Sequence, residues 1–302
     1  MPLQFAVLAS GSRGNSTLIQ AGGPGLLIDV GLPHRKLARR LASVGCAWES
    51  VGCALLTHTH GDHLDNSSLL AMSERGIALC CHEEHMLALR QFPGYITLER
   101  AGLVRTYDER PFLAPNGLRV EPIPLSHDGG ATFGFRIEGK TERRGGWLGL
   151  GFMADTGRWS EAMVEALVGA ALLAIEFNHD VELQRGSGRA PFLIERILGD
   201  EGHLSNEQGA SLLQAVLERS KPGPLRHVVL LHMSEQCNRP DLALEAAHAA
   251  VRASGRRAEV MVGQQHTASP DLRLPQARIA SQPQLDVATP TAAPEPVASA
   301  AS

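Results

Sequence analysis

Apolar and polar positions along the chain follow two periods, and the switch from one to the other marks out the elements. Residues 3–8 (LQFAVL) form an apolar run that stops at a small-residue loop, Ser10-Gly11-Ser12-Arg13-Gly14-Asn15. Short apolar runs bounded by turn residues read as buried strands. On that basis strands are predicted over 17–20, 25–29, 51–57, 76–81, 117–125, 133–138, 147–154, 171–176, 227–231 and 258–262. Apolar residues three and four apart predict helices over 34–44, 66–75, 83–91, 160–168, 205–219 and 240–253. A polar hairpin is expected over 139–146. Strands and helices come in runs without strict alternation, so the expected class is α/β (α+β), two mixed β-sheets packed together and flanked by helices. Beyond Thr267 the sequence shifts to Pro, Ala, Ser, Thr and Gln. Such a segment buries too little apolar surface to fold. The expected division is therefore a folded domain over 1–267 and a disordered Pro/Ala-rich tail over 268–302.

Chemistry gathers where the strands stop. Four apolar runs end at or beside His58, His127, Asp155 and His232. Rigid strands fix the direction of such residues while the loops leave room for substrate. The densest piece is His58-x-His60-x-Asp62-His63. In an extended loop residues i and i+2 point the same way, so His58 and His60 can chelate one ion. Asp62 and His63 turn towards a second position. Imidazole and carboxylate suit Zn²⁺, Mn²⁺ or Fe²⁺. The plainer reading is a polar loop with Asp62 capping a helix. A lone HxH would favour it; the full HxHxDH after a buried strand favours metal.

Composition narrows the classes. The formal net charge is −4, which argues against a protein that coats nucleic acid through many Lys/Arg–phosphate contacts. Thirteen histidines are the informative excess. No apolar run reaches the roughly 18 residues of a membrane span, and the N-terminal run reads as a strand, not a secretory signal. Five scattered cysteines, two of them adjacent at Cys80 and Cys81, make no disulfide framework and point to a reducing cytoplasm. Cys80 and Cys81 beside His82 and His85 lack the spacing of a zinc knuckle, and the basic run 35–40 reads as a solvated helix face.

With these motifs in place, the chain resembles the metallo-β-lactamase superfamily over roughly residues 3–267. The carriers are LLIDVG, THTHGDH and the later His127, Asp155 and His232. Within the superfamily it looks most like the YycJ/WalJ-type members, which are similar to 5′-exonucleases acting on DNA. ASGSRGNST, SHDGG, MADTG, EFNHD, GHLSN and LLHMSEQCN occur in the expected order. The resemblance implies an αββα sandwich with two metals at one edge. It implies His58, His60 and His127 on the first ion and Asp62, His63 and His232 on the second. Asp155 would bridge them, and Asp29 would brace the histidine loop.

The implied activity is a binuclear metal-dependent phosphodiesterase or nuclease, with a hydroxide shared by two divalent ions, Zn²⁺ foremost, as nucleophile. Two such ions outweigh the charges of Asp62 and Asp155, so the site attracts an anionic substrate without a basic surface. Asp62 is the expected catalytic residue, orienting water. DNA is the expected polymer and no membrane partner is expected. A glyoxalase II-like thioesterase or lactonase is the alternative, since it shares the metal residues. His203, His179 and Asn178 are candidate substrate contacts. Ser205 joins them, although it also fits a helix N-cap. Ser10, Ser12 and Asn15 read as a tight turn that can offer N–H groups to phosphate.

Overall fold

The computed structural model of the chain describes residues 3–141, 147–221, 223, 225–274 and 277–278. The expected architecture is the observed one. The first sheet is built from β1 (Leu3–Ala9), β2 (Ser16–Gln20), β3 (Gly25–Ile28), β4 (Val51–Leu55), β5 (Ala78–His82) and β6 (Val104–Tyr107). The second contains β7 (Phe112–Leu113), β8 (Arg119–Pro124), β9 (Phe133–Thr141), β10 (Trp147–Met153), β11 (Leu172–Glu176), β12 (His227–Leu231) and β13 (Glu259–Val262). Two late strands, β14 (Leu272–Leu274) and β15 (Ala277–Arg278), pair with β1 and β9. Sheet orders are β14-β1-β2-β3-β4-β5-β6 and β13-β12-β11-β10-β9-β8-β7. Both are mixed: β3 to β6 run parallel after an antiparallel start, and β10 to β13 run parallel after an antiparallel meander.

The sheets face each other across one apolar layer that includes Phe5, Val7, Ile28, Leu55, Phe135, Ile137, Leu172 and Val229. Strands buried on both faces read as continuous apolar runs, which is why their ends were sharp in the sequence. Helices close the outer faces. Over the first sheet lie α1 (His34–Ser43), α2 (Asn66–Glu74), α3 (Met86–Leu89) and α4 (Pro93–Arg100). On the second-sheet side come α5 (Glu161–Leu167), α6 (Val181–Arg185), α7 (Pro191–Leu198), α8 (Asn206–Arg219) and α9 (Pro240–Ala253). Of these, α5, α8 and α9 pack on the sheet through Val164, Leu212, Leu213, Val216 and Ala247. No helix among the described residues is long and apolar enough to cross a membrane.

Three expectations need correction. The single helix over 83–91 is a 3₁₀ turn, Glu83–His85, followed by α3. His85 leaves the helix pattern because its Nε2 meets the Ala131 carbonyl at 2.7 Å. The tail does not begin at 268: Leu272 and Leu274 point inward and are buried against β1, and Ser269 exchanges hydrogen bonds with Val7. Two alternating leucines suffice for an edge strand when a sheet edge is waiting for them, a condition invisible in composition. Helices α4, α6 and α7 were not anticipated. Residues 142–146 of the expected hairpin and 279–302 of the expected tail lie outside the described residues.

Candidate metal centre

The candidate ligands stand at or beyond strand ends, and two of them, together with the bracing Asp29, occupy the left-handed backbone region. Asp29 follows β3 at φ 61°, Asp155 follows β10 at φ 61°, and His232 follows β12 at φ 52°. For a residue with a Cβ this region costs about 1–2 kcal/mol. Strain of this kind persists only where surrounding contacts over-determine it, and it concentrates at functional sites. Here it turns three side chains out of the sheet plane towards one point.

The histidine loop is held from behind. Asp29 Oδ1 accepts from the Thr57 N–H at 2.8 Å, and its Oδ2 lies 2.7 Å from His63 Nδ1. Thr57 Oγ1 is 3.0 Å from His58 Nδ1. The loop also closes on the residue after Val30: a Cβ on Gly31 would stand 1.8 Å from the Asp62 carbonyl oxygen, so only glycine fits there. Asn15, read as a turn residue, reaches 3.0 Å from His63 Nε2 and 3.3 Å from Asp62 Oδ2. Ser10 Oγ accepts from the His232 N–H at 2.7 Å.

The side chains of the candidate ligands draw together in small groups. His58, His60 and His127 bring one nitrogen each within 4.8 Å of one another, and so do the ligand atoms of Asp62, His63 and His232. Asp155 joins His58 and His63 in a further such group, between the other two. Its Oδ2 is 2.9 Å from His63 Nε2 and its Oδ1 3.0 Å from His232 Nδ1. These residues fit divalent cations. His58 Nε2 is buried with no hydrogen-bond partner, and Asp155 Oδ2 has none of hydrogen-bond alignment. Orphaned buried polar atoms are rare and call for a missing partner.

Electrostatics agrees. Burial, with the neighbouring His63, holds His58 well below the usual imidazole range, in the neutral form that binds metal. Burial also depresses His60. His63 and His232 go the other way. Burial would lower both, but carboxylates outweigh it: Asp155 and Asp29 around His63, and Asp155 and Asp62 around His232, which is pushed up to about 10. Asp62 and Asp155 stay ionised against their burial because these rings face them. The cluster thus favours added positive charge at its centre, which divalent ions supply.

One member of the site had no role assigned from sequence. Glu176 ends β11 fully buried. Its Oε1 is 2.8 Å from His203 Nδ1 and 3.2 Å from His232 Nδ1, while Oε2 accepts from the N–H groups of Thr156 and Leu204. Burial raises its pKa, yet His203 outweighs that and draws it to about 2. The signal was present: Glu176 is a carboxylate ending a buried strand beside the others, inside EFNHD.

A cleft of about 580 Å³ opens over the ligands and is also lined by Ser12, Asp128, Arg189, Arg196, His203 and Gln236. Of His203, His179, Asn178 and Ser205, only His203 lines it. Asn178 is buried behind His232, donating to the His232 carbonyl at 2.7 Å. Ser205 caps α8: its Oγ accepts from the Gln208 N–H, and Gln208 Oε1 accepts from the Ser205 N–H at 2.9 Å. His179 is buried, and burial lowers its pKa to about 4. Its backbone bridges Ser205, and it is not among the residues that line the cleft. A histidine after a strand end does not reveal which way its ring points. His82 and His85 pack on Phe133, with ring centroids 4.5 and 6.3 Å away.

A family model described as a beta-lactamase superfamily domain matches residues 26–233. The exodeoxyribonuclease WalJ of Streptococcus pneumoniae is 30% identical over 243 residues, which is 80% of this chain and 85% of WalJ. The exodeoxyribonuclease YycJ of Bacillus anthracis is 30% identical over 244 residues, 80% of this chain and 87% of YycJ. Among solved structures, the metallo-beta-lactamase fold protein YhfI of Bacillus subtilis matches with a TM-score of 0.64 at 14% identity, over 90% of this chain and all of YhfI. Zn²⁺-bound PqqB of Methylobacterium extorquens gives a TM-score of 0.60 at 17% identity, over 88% of this chain and 99% of PqqB. At such identities these two show the fold alone.

Proposed function

The chain belongs to the beta-lactamase superfamily, and from that premise we propose that it is a metal-dependent nuclease that removes nucleotides from the 5′ end of DNA. The observation that carries this reading is the convergence of seven candidate ligand residues, five of them lining one open cleft, beside a histidine aimed by a buried glutamate. The curated relatives WalJ and YycJ, exodeoxyribonucleases by name, support the polymer and the reaction. The thioesterase or lactonase alternative has no such support.

His58, His60 and His127 would hold one divalent ion, Asp62, His63 and His232 a second, and Asp155 would lie between them. When bound, the ions would activate water near neutral pH and offset the charge of the phosphodiester. We assign two ions per chain, with zinc foremost because neutral imidazole and carboxylate dominate the donor set.

The chain's own residues do the rest. Asp62, held ionised and half-exposed to the cleft, orients the attacking water by accepting its hydrogen. Asp29 and Thr57 fix the rings of His63 and His58 from behind, and Gly202 does the same for His127 by accepting at Nδ1 from 2.9 Å. Glu176 occupies His203 Nδ1, leaving Nε2 to meet a phosphate oxygen or give a proton to the departing alkoxide. Four of the five free cysteines are buried, in keeping with action in the reducing cytoplasm.

The test is a digest of 5′-labelled and 3′-labelled DNA by metal-loaded protein, alongside RNA and a thioester. Label is expected to leave the 5′ end at once as mononucleotide. Elemental analysis should find close to two ions per chain, and Asp62→Ala should abolish hydrolysis while the protein stays folded. Release from the 3′ end first, nicking of closed circles, or faster turnover of the thioester would overturn the reading.

A further inference from the structure

Helix α7 is an oddity in this fold. Five of its eight residues are apolar, Phe192, Leu193, Ile194, Ile197 and Leu198, yet none of the eight is buried. Phe192 is 71% exposed. A helix with such a face normally buries it against another element. Here Leu193 and Ile197, one turn apart, line the cleft instead, and Arg196 looks into it from the same side.

The helix is pinned to the metal floor at its C-terminal end. The His203 N–H donates to the Ile197 carbonyl at 3.0 Å, and the Asp128 N–H to the Glu201 carbonyl at 3.0 Å. Arg196 pairs with Asp128, which lies 3.8 Å from His60 Nε2. At the other end stands Arg189, and its partners are unusual. Its Nε and Nη2 donate to Gln236 Oε1 at 3.2 and 2.8 Å, and its Nη1 to Gln184 Oε1 at 3.3 Å. Both acceptors are neutral amides, and among the described residues no carboxylate pairs with it. A guanidinium fixed in place, lining a cleft, with its charge left over, is built for an anion.

We infer that the wall formed by Arg189 and α7 seats a single strand of DNA beside the metal ligands, with Arg189 taking a backbone phosphate and Phe192 stacking on an unpaired base. Charge complementarity names the occupant's backbone, and the exposed Phe192 on the otherwise half-buried apolar face of α7 names its bases. A polyanion without bases would use the arginines and leave Phe192 idle, while a base-paired duplex keeps its stacking faces covered. Aromatic stacking on successive bases with a cation on the backbone is the general means of holding a single strand. This inference rests on the nuclease reading and adds to it the surface that grips the polymer.

The test measures binding of a short fluorescent phosphorothioate oligodeoxynucleotide, which resists cleavage, to metal-loaded full-length protein at several salt concentrations. Arg189→Gln is expected to weaken binding about tenfold. It should also reduce the slope of log affinity against log salt by about 0.7, the loss of one single-strand phosphate contact. Arg189→Lys should restore the slope but only part of the affinity. Phe192→Ala, at an exposed position, should weaken binding about fivefold or more with the slope intact. Melting temperature and metal content of each variant are read alongside, and Phe192→Ala keeps the inference testable if Arg189→Gln does not fold. Wild-type affinity and slope in Arg189→Gln, or wild-type affinity in Phe192→Ala, would overturn the seat. A wild-type protein that neither binds nor cleaves DNA would instead overturn the nuclease reading, so the two failures are distinct.

Discussion

The floor and the wall of the cleft are made in opposite ways. The floor is strand ends: buried His58, His63, Asp155 and His232, with Asp29, Asp155 and His232 in left-handed backbone and carboxylates locked behind the rings. The wall is a short helix with no buried residue and one arginine resting on neutral amides. The lesson is that chemistry and grip place different demands on a fold. Ligands must sit within tenths of an ångström, so they are over-determined. A surface that takes successive units of a polymer must release them, so it holds little stability of its own.

The sharpest break between the two comes from removing a ligand. His58→Ala or Asp155→Ala should lose metal, and with it several kcal/mol of transition-state stabilisation, roughly a thousandfold or more in turnover. Elemental analysis and a turnover assay check this. Metal content and turnover both retained would remove the substituted residue from the ligand set.

A smaller effect is expected one layer back. Glu176→Gln keeps the shape but removes the charge that holds His203 and His232, and should cost about 10–100-fold in activity or metal affinity. A metal titration with parallel kinetics shows which. No change in either would place Glu176 outside the working site.

Acid should distinguish floor from wall more gently. His179 is buried in neutral form, its folded pKa of about 4 lying below the ordinary 6.5. The unfolded chain therefore binds the extra proton, and stability rises with pH across that window. The contribution is complete above about 6.5 and is lost as pH falls towards 4. His179→Gln should flatten the acid side of the melting-temperature profile relative to the parent; an unaltered slope would mean the ring is hydrated or protonated in place.

The smallest effect belongs to the wall. Phe192→Ser should change stability by no more than about 0.5 kcal/mol, as for other exposed positions. A large fall in melting temperature on thermal unfolding would show that Phe192 itself packs on something.

Much of the floor was legible because its residues follow a local rule. A buried strand in a sandwich is a continuous apolar run, so its end is visible, and His58, His60, Asp62, His63, His127, Asp155 and His232 all stand at or beside such ends. Glu176 stood at one too and was passed over. Asn15 and Ser10 read as a turn able to meet phosphate, since nothing local says that a turn will lie under Asp62 and His232.

The sequence by itself determined the periods, hence the two mixed sheets and their flanking helices, and the residue types and spacing that gather metal ligands. Those follow from each residue's own surroundings within a few positions along the chain. Only the tertiary structure decided direction and partnership. It turned His203 to the cleft, put Asn178 behind His232, and drew Leu272 and Leu274 into a sheet edge. Among the described residues it also left Arg189 paired with neutral amides and no carboxylate. Such outcomes depend on contacts between residues tens to hundreds of positions apart, and their energies exist only once the chain has closed.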